Sequence, residues 1–162
     1  MIYFLMIAAI FVVDRVSKIW VSEQLELYVV HEIIPDFFSL TYCTNTGAAW
    51  GMFSGGRWFF VVFTIAVLAV LVFVLFKTKE ITQKIAYSFL IGGAIGNLYD
   101  RIMTGKVVDF FDFSAIGFSA IFNVADIFVV VGTILMAIGL IREARKENAK
   151  TNHSKYNGGT EG

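Results

Sequence analysis

The feature that most constrains this chain is a run of nineteen uncharged residues from Trp58 to Phe76, flanked by Arg57 and Lys77. A helix rises ~1.5 Å per residue, so about twenty residues cross a bilayer core of roughly 30 Å. The chain is 57% hydrophobic and 16% charged, whereas soluble domains are about a quarter charged. A chain of 162 residues cannot hide that much apolar surface in one small core. We therefore predict an all-α membrane protein.

Three further apolar stretches complete a set of four predicted transmembrane helices. The predicted spans are residues 1–21, 58–76, 85–103 and 121–141. The first could also be a cleaved signal peptide, although it lacks a basic start and an A-x-A-like cleavage site. We predict one membrane domain over residues 1–148, followed by a disordered tail over residues 149–162.

Lysine and arginine are distributed unevenly between the connections of these spans. Three lysines stand in the link 77–84, and five basic residues follow the last span: Arg142, Arg145, Lys146, Lys150 and Lys155. The long links 22–56 and 104–120 contain one basic residue, Lys106. Because basic residues concentrate on the cytoplasmic side, we predict that both termini are cytoplasmic and both long links are outside.

The two outer links are apolar enough to form structure of their own. Residues Val29–Thr44 alternate sufficiently for one or two short strands, and Phe110–Phe122 is rich in Phe, Ile and Ala. Both segments suit a position on the membrane surface, half in lipid. Ordinary loop packing on the helix bundle is an equally open interpretation.

Charge and cysteine content exclude several classes of function. The formal net charge is zero and no basic stripe crosses a polar face, which disfavours nucleic-acid binding. The single cysteine, Cys43, excludes an intramolecular disulfide, and His31 and His153 lack metal-ligand spacing. We expect neither a metal nor a cofactor.

Charged residues inside the predicted spans are the most informative signal. Counted from the cytoplasmic ends, Asp14 lies roughly 20 Å along its helix, and Asp100 and Asp126 lie roughly 24 Å along theirs. Each carboxylate costs on the order of 3 kcal/mol there unless it is paired or hydrated. Three helices thus bring carboxylates to one level, which indicates a functional site.

Polar neighbours share the faces of these carboxylates. Asp14 and Lys18 are spaced as an i, i+4 ion pair. Gly92 and Gly96 follow a G-x-x-x-G pattern that lets another helix approach closely. Structural fastening and direct substrate contact are equally open for four polar residues: Asp14, Lys18, Asn97 and Arg101.

Two aspartates at the outer boundary suggest a chemistry. Asp109 follows the third span and Asp126 begins the fourth. Two close carboxyls share a proton, because both cannot ionise cheaply. One can then activate water while the other polarises a carbonyl, as in aspartic proteases. Asp112 could replace Asp109, but we expect it to face solvent.

Five motifs in this order resemble the bacterial lipoprotein signal peptidase family (signal peptidase II) over the chain to about Arg145. They are DRVSK from Asp14, NTGAAW from Asn45, GGAIGNLYDR from Gly92, VVDF from Val107 and FNVAD from Phe122. The resemblance implies that Asp109 and Asp126 are the catalytic aspartates. It implies that eight polar positions bind substrate or support the site: Asp14, Lys18, Asn45, Gly47, Asn97, Asp100, Arg101 and Asn123.

The resemblance also carries expectations about fold, substrate and location. It implies a small extracytoplasmic β-cradle within Val29–Thr44 and a surface helix around Gly51–Gly56. The implied substrate is a prolipoprotein signal peptide next to a diacylglyceryl-modified cysteine, cleaved just before that cysteine. The enzyme would be a monomer in the bacterial cell membrane, in contact with membrane lipid.

Other classes of function remain as alternatives. Ser17 and Lys18 could suggest a Ser/Lys protease, but adjacent helical residues point apart. Cys43 and His31 lack an orienting partner, and the sequence contains no H-E-x-x-H metalloprotease motif. An ion carrier would need acidic residues spread through the membrane depth, whereas these lie at one level. A non-catalytic scaffold is the last alternative.

Overall fold

The part of the chain that the structure describes forms four α-helices and a small antiparallel sheet. The computed structural model describes residues 1–47 and 56–157, with side chains up to residue 146. The elements in chain order are α1 (Ile2–Gln24), β1 (Val30–Ile34), β2 (Phe38–Asn45), α2 (Arg57–Lys77), α3 (Ile81–Met103), β3 (Val107–Asp112), β4 (Ile121–Phe122) and α4 (Val124–Asn157). The architecture is therefore mostly helical, as predicted.

Helix α3 lies at the centre, in contact with the other three helices. Its glycines allow this close packing. A Cβ atom at Gly92 would lie 2.9 Å from the Ile10 side chain, and one at Gly96 would lie 2.5 Å from Asp14 Oδ2. Further along α3, an apolar core contains Leu75, Tyr87, Leu90 and Ile91. The predicted close approach at the glycine pattern is thus present.

The outward faces of the helices are strongly apolar. Phe59, Phe63 and Phe73 of α2 are all exposed. Within the described residues, Arg57–Lys77 and Val124–Lys146 are long and apolar enough to cross a membrane by length and composition alone. Helices α1 and α3 carry charged residues and do not pass that test. Such exposed apolar surface is typical of a membrane-embedded protein.

The four strands pair in the order β1-β2-β3-β4, each antiparallel to its neighbour. Strands β1 and β2 confirm the prediction of one or two strands within Val29–Thr44. Strands β3 and β4 were not predicted, because their short apolar runs adjoin predicted spans. The pairing of β3 with β2 places Cys43 opposite Asp109, which fixes one catalytic candidate in the sheet.

The two outer links differ in how much of them the structure describes. Phe110–Phe122 contributes to β3, a short 3-10 turn and β4, with Phe118 exposed. Its contact with lipid stays a prediction. The expected surface helix around Gly51–Gly56 falls largely on residues 48–55, which lie outside the described residues.

The fourth helix differs from the fourth predicted span at both ends. Ile121–Phe122 pair as β4, so α4 begins at Val124. The backbone stays helical to Asn157, beyond the expected end at residue 141. Disorder of the tail 149–162 stays a prediction.

Candidate active site

Asp109 lies on β3 with only 3% of its surface exposed. Both carboxyl oxygens accept hydrogen bonds from asparagine amides. Asn123 Nδ2 donates to Oδ1 over 2.6 Å, and Asn45 Nδ2 donates to Oδ2 over 3.2 Å. These bonds fix the direction in which the carboxyl group points, since they come from two different elements.

Asp126 is held in the first turn of α4 by a reciprocal capping arrangement. The Asp126 backbone N–H donates to Asn123 Oδ1 over 2.9 Å, and the Asn123 backbone N–H donates to Asp126 Oδ2 over 3.1 Å. This geometry is that of a capping box, with aspartate in place of glutamate. The positive end of the helix dipole also favours a carboxylate at this position.

Asn97 and Asn123 connect the two aspartates through their side-chain amides. Asn97 Nδ2 donates to Asp126 Oδ1 over 2.8 Å. Asn123 Nδ2 donates to Asn97 Oδ1 over 3.1 Å as well as to Asp109. One asparagine side chain therefore contacts both the Asp109 carboxyl and the residue that holds Asp126.

The orientation of the Asn97 amide is fixed from the opposite side by Lys18. Lys18 Nζ donates to Asn97 Oδ1 over 2.9 Å. With its oxygen occupied by this donor and by Asn123, Asn97 turns its NH₂ group toward Asp126. A flipped amide would place an oxygen against the carboxylate and a donor against the ammonium group, both of which are repulsive.

Burial controls the charge of Asp109. Burial raises the pKa of the Asp109 carboxyl to about 7, and the negative charge of Asp126 adds to that rise. Hydrogen bonds from Asn123 and Asn45 oppose it. Near neutral pH this carboxyl therefore exchanges a proton readily, which suits general acid–base chemistry.

A buried ion cluster is connected to Asp126 through Asn97. Lys18 Nζ is 2.9 Å from both Asp14 Oδ2 and Asp100 Oδ2, and the Lys18 side chain is 1% exposed. Arg15 pairs with the other oxygen of Asp100. Asp14 Oδ1 accepts the backbone N–H of Ala125 over 2.9 Å. The cluster thus joins α1 to α3 and to the first turn of α4.

Arg101 connects α3 to the link after β2. Arg101 Nη2 donates to the Gly47 carbonyl over 3.2 Å, and its guanidinium lies 5.1 Å from the centre of the Phe60 ring. The Gly47 N–H in turn donates to Asn45 Oδ1 over 2.8 Å, which directs the Asn45 NH₂ group toward Asp109. Arg101 therefore supports the Asn45 contact as well as facing the cavity.

Both aspartates face one cavity of about 500 Å³. Its polar wall is formed by Asn45, Gly47, Asn97, Arg101, Asp109 and Asp126. Its apolar wall includes Val107, Phe122, Val129 and Val130. This volume is in the range of known ligand pockets and would hold a few residues of peptide.

The structure brings the ten predicted site residues into one connected network. Six of them line the cavity, while Asp14, Lys18 and Asp100 form the ion cluster and Asn123 bridges the aspartates. The partnership of Arg15 with Asp100 was missed from the sequence. The signal was available, because an arginine within a span needs an anionic partner.

The expectation that Asp112 faces solvent is wrong. Asp112 is 5% exposed, and its oxygens accept hydrogen bonds from Thr41 Oγ1 over 2.8 Å and from the Ser114 N–H over 2.9 Å. Burial raises the pKa of Asp112, but these hydrogen bonds outweigh it and the net pKa is lowered. Pairing of β3 with both β2 and β4 covers this position. Asp112 is not among the described residues that line the cavity.

The alternative nucleophiles gain no support. Ser17 Oγ donates to the Asp14 carbonyl, whereas Lys18 Nζ faces Asp14, Asp100 and Asn97. Cys43 lies opposite Asp109, and His31 lies opposite Leu40 on another strand pair. Burial raises the pKa of the Cys43 thiol to about 12, so it is not a reactive thiolate at neutral pH.

The sequence is similar to that of known proteins over most of its length. The signal peptidase (SPase) II family model matches residues 6–142. A lipoprotein signal peptidase of Clostridium acetobutylicum is 42% identical over 150 residues, which cover 90% of this chain and 97% of that protein. A lipoprotein signal peptidase of Staphylococcus aureus strain JH9 is 39% identical over 147 residues, covering 88% and 90%.

Solved structures agree with the sequence matches. A bacterial membrane enzyme determined by the in meso method at 2.3 Å resolution superposes with a TM-score of 0.81 at 36% identity, covering 88% of each chain. A second one, at 1.9 Å resolution, gives a TM-score of 0.77 at 37% identity, covering 85% of this chain and 91% of the other.

Proposed function

The chain belongs to the signal peptidase II family, and from that premise we propose that it is an intramembrane aspartyl endopeptidase. Its substrates are prolipoproteins that carry a diacylglyceryl-modified cysteine. It removes their signal peptides by cleaving the bond just before that cysteine. Asp109 and Asp126 are the catalytic residues of this proposal.

The proposed reaction uses one proton shared between two carboxyls. One aspartate, ionised, takes a proton from water as the oxygen attacks the scissile carbonyl. The other aspartate, protonated, donates to that carbonyl oxygen and stabilises the tetrahedral intermediate. Collapse of the intermediate breaks the C–N bond, and the departing amine takes a proton from the dyad.

The surrounding amides support this chemistry in a specific way. Asn45 and Asn123 donate to Asp109, and Asn97 donates to Asp126, so each carboxyl is held before substrate arrives. Carboxyl groups that are already fixed in position lower the entropic cost of reaching the reactive geometry. The Asp109 pKa near 7 allows a shared proton at neutral pH.

The proposed substrate fits the surroundings of the cavity. Helix α4 contributes Val129 and Val130 to the apolar wall of the cavity, and helices α2 and α4 expose apolar side chains such as Phe63 and Ile134. Acyl chains and an apolar signal helix can stay in lipid while the scissile peptide enters the cavity. Binding energy from these remote parts then positions the bond between the aspartates.

The proposed arrangement in the bacterial cell membrane has α1, α2, α3 and α4 as four spans. Both termini are cytoplasmic, and the sheet lies on the outer face. The basic residues of the link 77–84 and of the segment after residue 141 support this orientation. The enzyme acts as a monomer, without a metal or cofactor, in contact with membrane lipid.

The observation that carries this function is the Asn123 amide, which contacts Asp109 and the Asn97 side chain that holds Asp126. The test is cleavage of a synthetic precursor by purified protein in detergent, with and without the diacylglyceryl group on cysteine. We expect cleavage of the lipidated precursor alone, with a product that begins at the lipidated cysteine. Cleavage at another bond, or none, would contradict the proposal.

A further inference from the structure

Tyr28 lies at the cavity in an unusual backbone conformation. It occupies the third position of a turn in which the Val29 N–H donates to the Glu26 carbonyl. Its φ angle is +64°, in the left-handed region that favours glycine and is rare for an aromatic residue. Tyr28 is 62% exposed and lines the same cavity as Asp109 and Asp126.

A second turn in the chain shows what the backbone alone requires. Asp36 occupies the third position of the turn from Ile34 to Phe37, where the Phe37 N–H donates to the Ile34 carbonyl, and its φ is +55°. Aspartate tolerates this region, and Glu32 accepts the Asp36 N–H. The side chain of Asp36 needs no role beyond the turn, and Asp36 is not among the described residues that line the cavity.

Tyr28 differs from Asp36 in having a side chain that the turn itself disfavours. Glycine or asparagine would make the same turn with less strain. The Tyr28 N–H donates to the Tyr42 carbonyl over 2.8 Å, so the sheet holds the strained residue in place. Strained residues that persist because their surroundings fix them cluster at functional sites. In this strained backbone conformation, Tyr28 contributes a large amphipathic ring to the cavity that Asp109 and Asp126 also line.

We propose that Tyr28 contacts the peptide segment that follows the scissile bond, on the mature side of the precursor. This inference rests on the proposed function. Tyr28 lies between α1 and β1, in a link that the proposed orientation places outside. The acyl chains stay in lipid and the signal helix lies among the spans, whereas the mature segment must leave past the sheet.

The chemistry of the ring suits a segment of variable sequence. A phenol ring packs on peptide planes whatever the side chains are, and its hydroxyl group can donate or accept one hydrogen bond. The neighbouring cavity residues Thr44 and Ser119 are small and polar, which leaves room for an extended peptide. Tyr28 is thus a substrate-binding residue that takes no part in proton transfer.

The experiment compares two lipidated precursors with the same signal peptide and the same diacylglyceryl-cysteine. The long precursor continues with a polar peptide after the cysteine, and the short one ends at the cysteine as an amide. Both are cleaved by purified wild-type enzyme, Tyr28→Gly, Tyr28→Asn and Tyr28→Phe. Asp36→Gly is the matched control, because it relaxes the equivalent turn without changing the cavity.

We expect Tyr28→Gly and Tyr28→Asn to lower kcat/KM for the long precursor by about tenfold and to cleave the short precursor at the wild-type rate. Tyr28→Phe keeps most of the activity on both precursors. Asp36→Gly matches the wild type on both. The melting temperature of Tyr28→Gly stays at or above that of the wild type, because glycine relieves the strained turn, and that of Asp36→Gly stays close to the wild-type value.

Several results would overturn the assignment. Equal losses on both precursors would mean that Tyr28 contacts another part of the substrate or supports the fold. An unchanged rate of Tyr28→Gly on the long precursor would leave the ring without a role in binding. A wild-type enzyme that cleaves neither precursor would contradict the proposed function itself, and the role of Tyr28 with it.

Discussion

Asp109 and Asp126 are buried carboxyls whose replacement by asparagine changes charge but hardly changes volume. If one acts as base and the other as acid, neither Asp109→Asn nor Asp126→Asn can do both. We expect each variant to lose on the order of 10²- to 10⁴-fold in kcat. The double variant should lose little more, because members of a catalytic unit are strongly non-additive. The measurement is cleavage of a lipidated precursor by purified variants.

Asp112→Asn is the internal control for that experiment. Asp112 lies on the same strand as Asp109 and is similarly buried, but its partners are Thr41 and Ser114. An asparagine at this position can keep both contacts, so activity should remain near that of the wild type. A well-folded Asp126→Asn enzyme with near-normal turnover would end the aspartyl interpretation.

The raised pKa of Asp109 links stability to pH. Burial and the charge of Asp126 raise the pKa of this carboxyl from 3.8 to about 7, so the folded state binds a proton that the unfolded chain has already released. The bound proton therefore contributes to the free energy of unfolding fully below pH 3.8, and this contribution is lost as the pH rises through about 7. Between these two pH values the free energy of unfolding falls by on the order of 4 kcal/mol.

The corresponding measurement is the melting temperature in detergent between pH 5 and pH 8. We expect the wild type to lose stability across this range more steeply than Asp109→Asn, which has no proton to lose at that position. Parallel curves for the two proteins would contradict the assigned pKa shift.

At the scale of single residues, the sequence predicts the chemical groups better than their neighbours. The ten residues that form the site network could be predicted, because the motifs fix the type of each residue and its approximate depth in the membrane. Asp112 and Tyr28 show the limit. The burial of Asp112 depends on strand pairing, and the positive φ of Tyr28 depends on a turn held by the Tyr42 carbonyl. Such long-range contacts leave no local pattern in a sequence.

At the scale of elements, Asp14 and Lys18 join α1 to α3 and α4. In Asp14→Ala, Lys18 loses one carboxylate and the Ala125 N–H loses its acceptor. Breaking a buried pair typically costs about 3–5 kcal/mol. We therefore expect Asp14→Ala to lower both the unfolding temperature and activity. Full stability of Asp14→Ala without activity would instead make Asp14 a direct member of the site.

Two comparisons sharpen the Asp14 prediction. The pair Asp14→Leu with Lys18→Met should fold better than either single variant, since Asp100 keeps Arg15 as its partner. Its activity should stay low, because Asn97 loses the Lys18 donor. Glu80→Ala is the matched control, because it breaks an ion pair with Lys146 whose side chains are 45% and 65% exposed. Exposed pairs contribute little, so this variant should melt like the wild type.

The glycine face of α3 sets how closely the helices pack. A methyl group at Gly93 would meet the Ala125 backbone oxygen at 2.5 Å, whereas one at Gly92 would meet the Ile10 side chain at 2.9 Å. A side chain can yield more easily than a helical carbonyl. We expect Gly93→Ala to cost about 1–3 kcal/mol of stability and Gly92→Ala to cost less. The check is the free energy of unfolding in detergent, and the reverse order would contradict this packing.

Hydrophobic patterning predicted each helix but not each boundary. The nineteen-residue run 58–76 is extended by one residue at each end in α2, because Arg57 and Lys77 themselves continue the helix. The fourth span is displaced, because Ile121–Phe122 pair with β3 before α4 begins. From sequence alone, an apolar dipeptide next to an apolar helix can either extend that helix or pair with a strand. Strand pairing at this site is therefore a tertiary effect.

At the scale of the whole molecule, the charges and the apolar surface are separated. The ion cluster lies between α1, α3 and the start of α4, with Asp126 in the first turn of α4 and Asp109 on strand β3, whereas the exposed sides of the helices carry Phe, Val and Ile. Such an arrangement excludes bulk lipid from the charges and keeps a polar cavity within an apolar exterior. The same separation makes the orientation in the membrane decisive for function, since the cavity must meet its substrate from one side.

Thiol labelling of intact cells tests that orientation. Glu32 on β1 and Lys79 between α2 and α3 are both exposed, so Glu32→Cys and Lys79→Cys present accessible thiols. Burial, with the charges of Asp109 and Asp112, raises the pKa of Cys43 to about 12, so labelling of the native thiol should be low near neutral pH. With the sheet outside and the basic link 77–84 inside, a membrane-impermeant reagent should label Glu32→Cys directly and Lys79→Cys only after permeabilisation. The opposite pattern would reverse the proposed orientation, and labelling of both sites in intact cells would place the two links on one side.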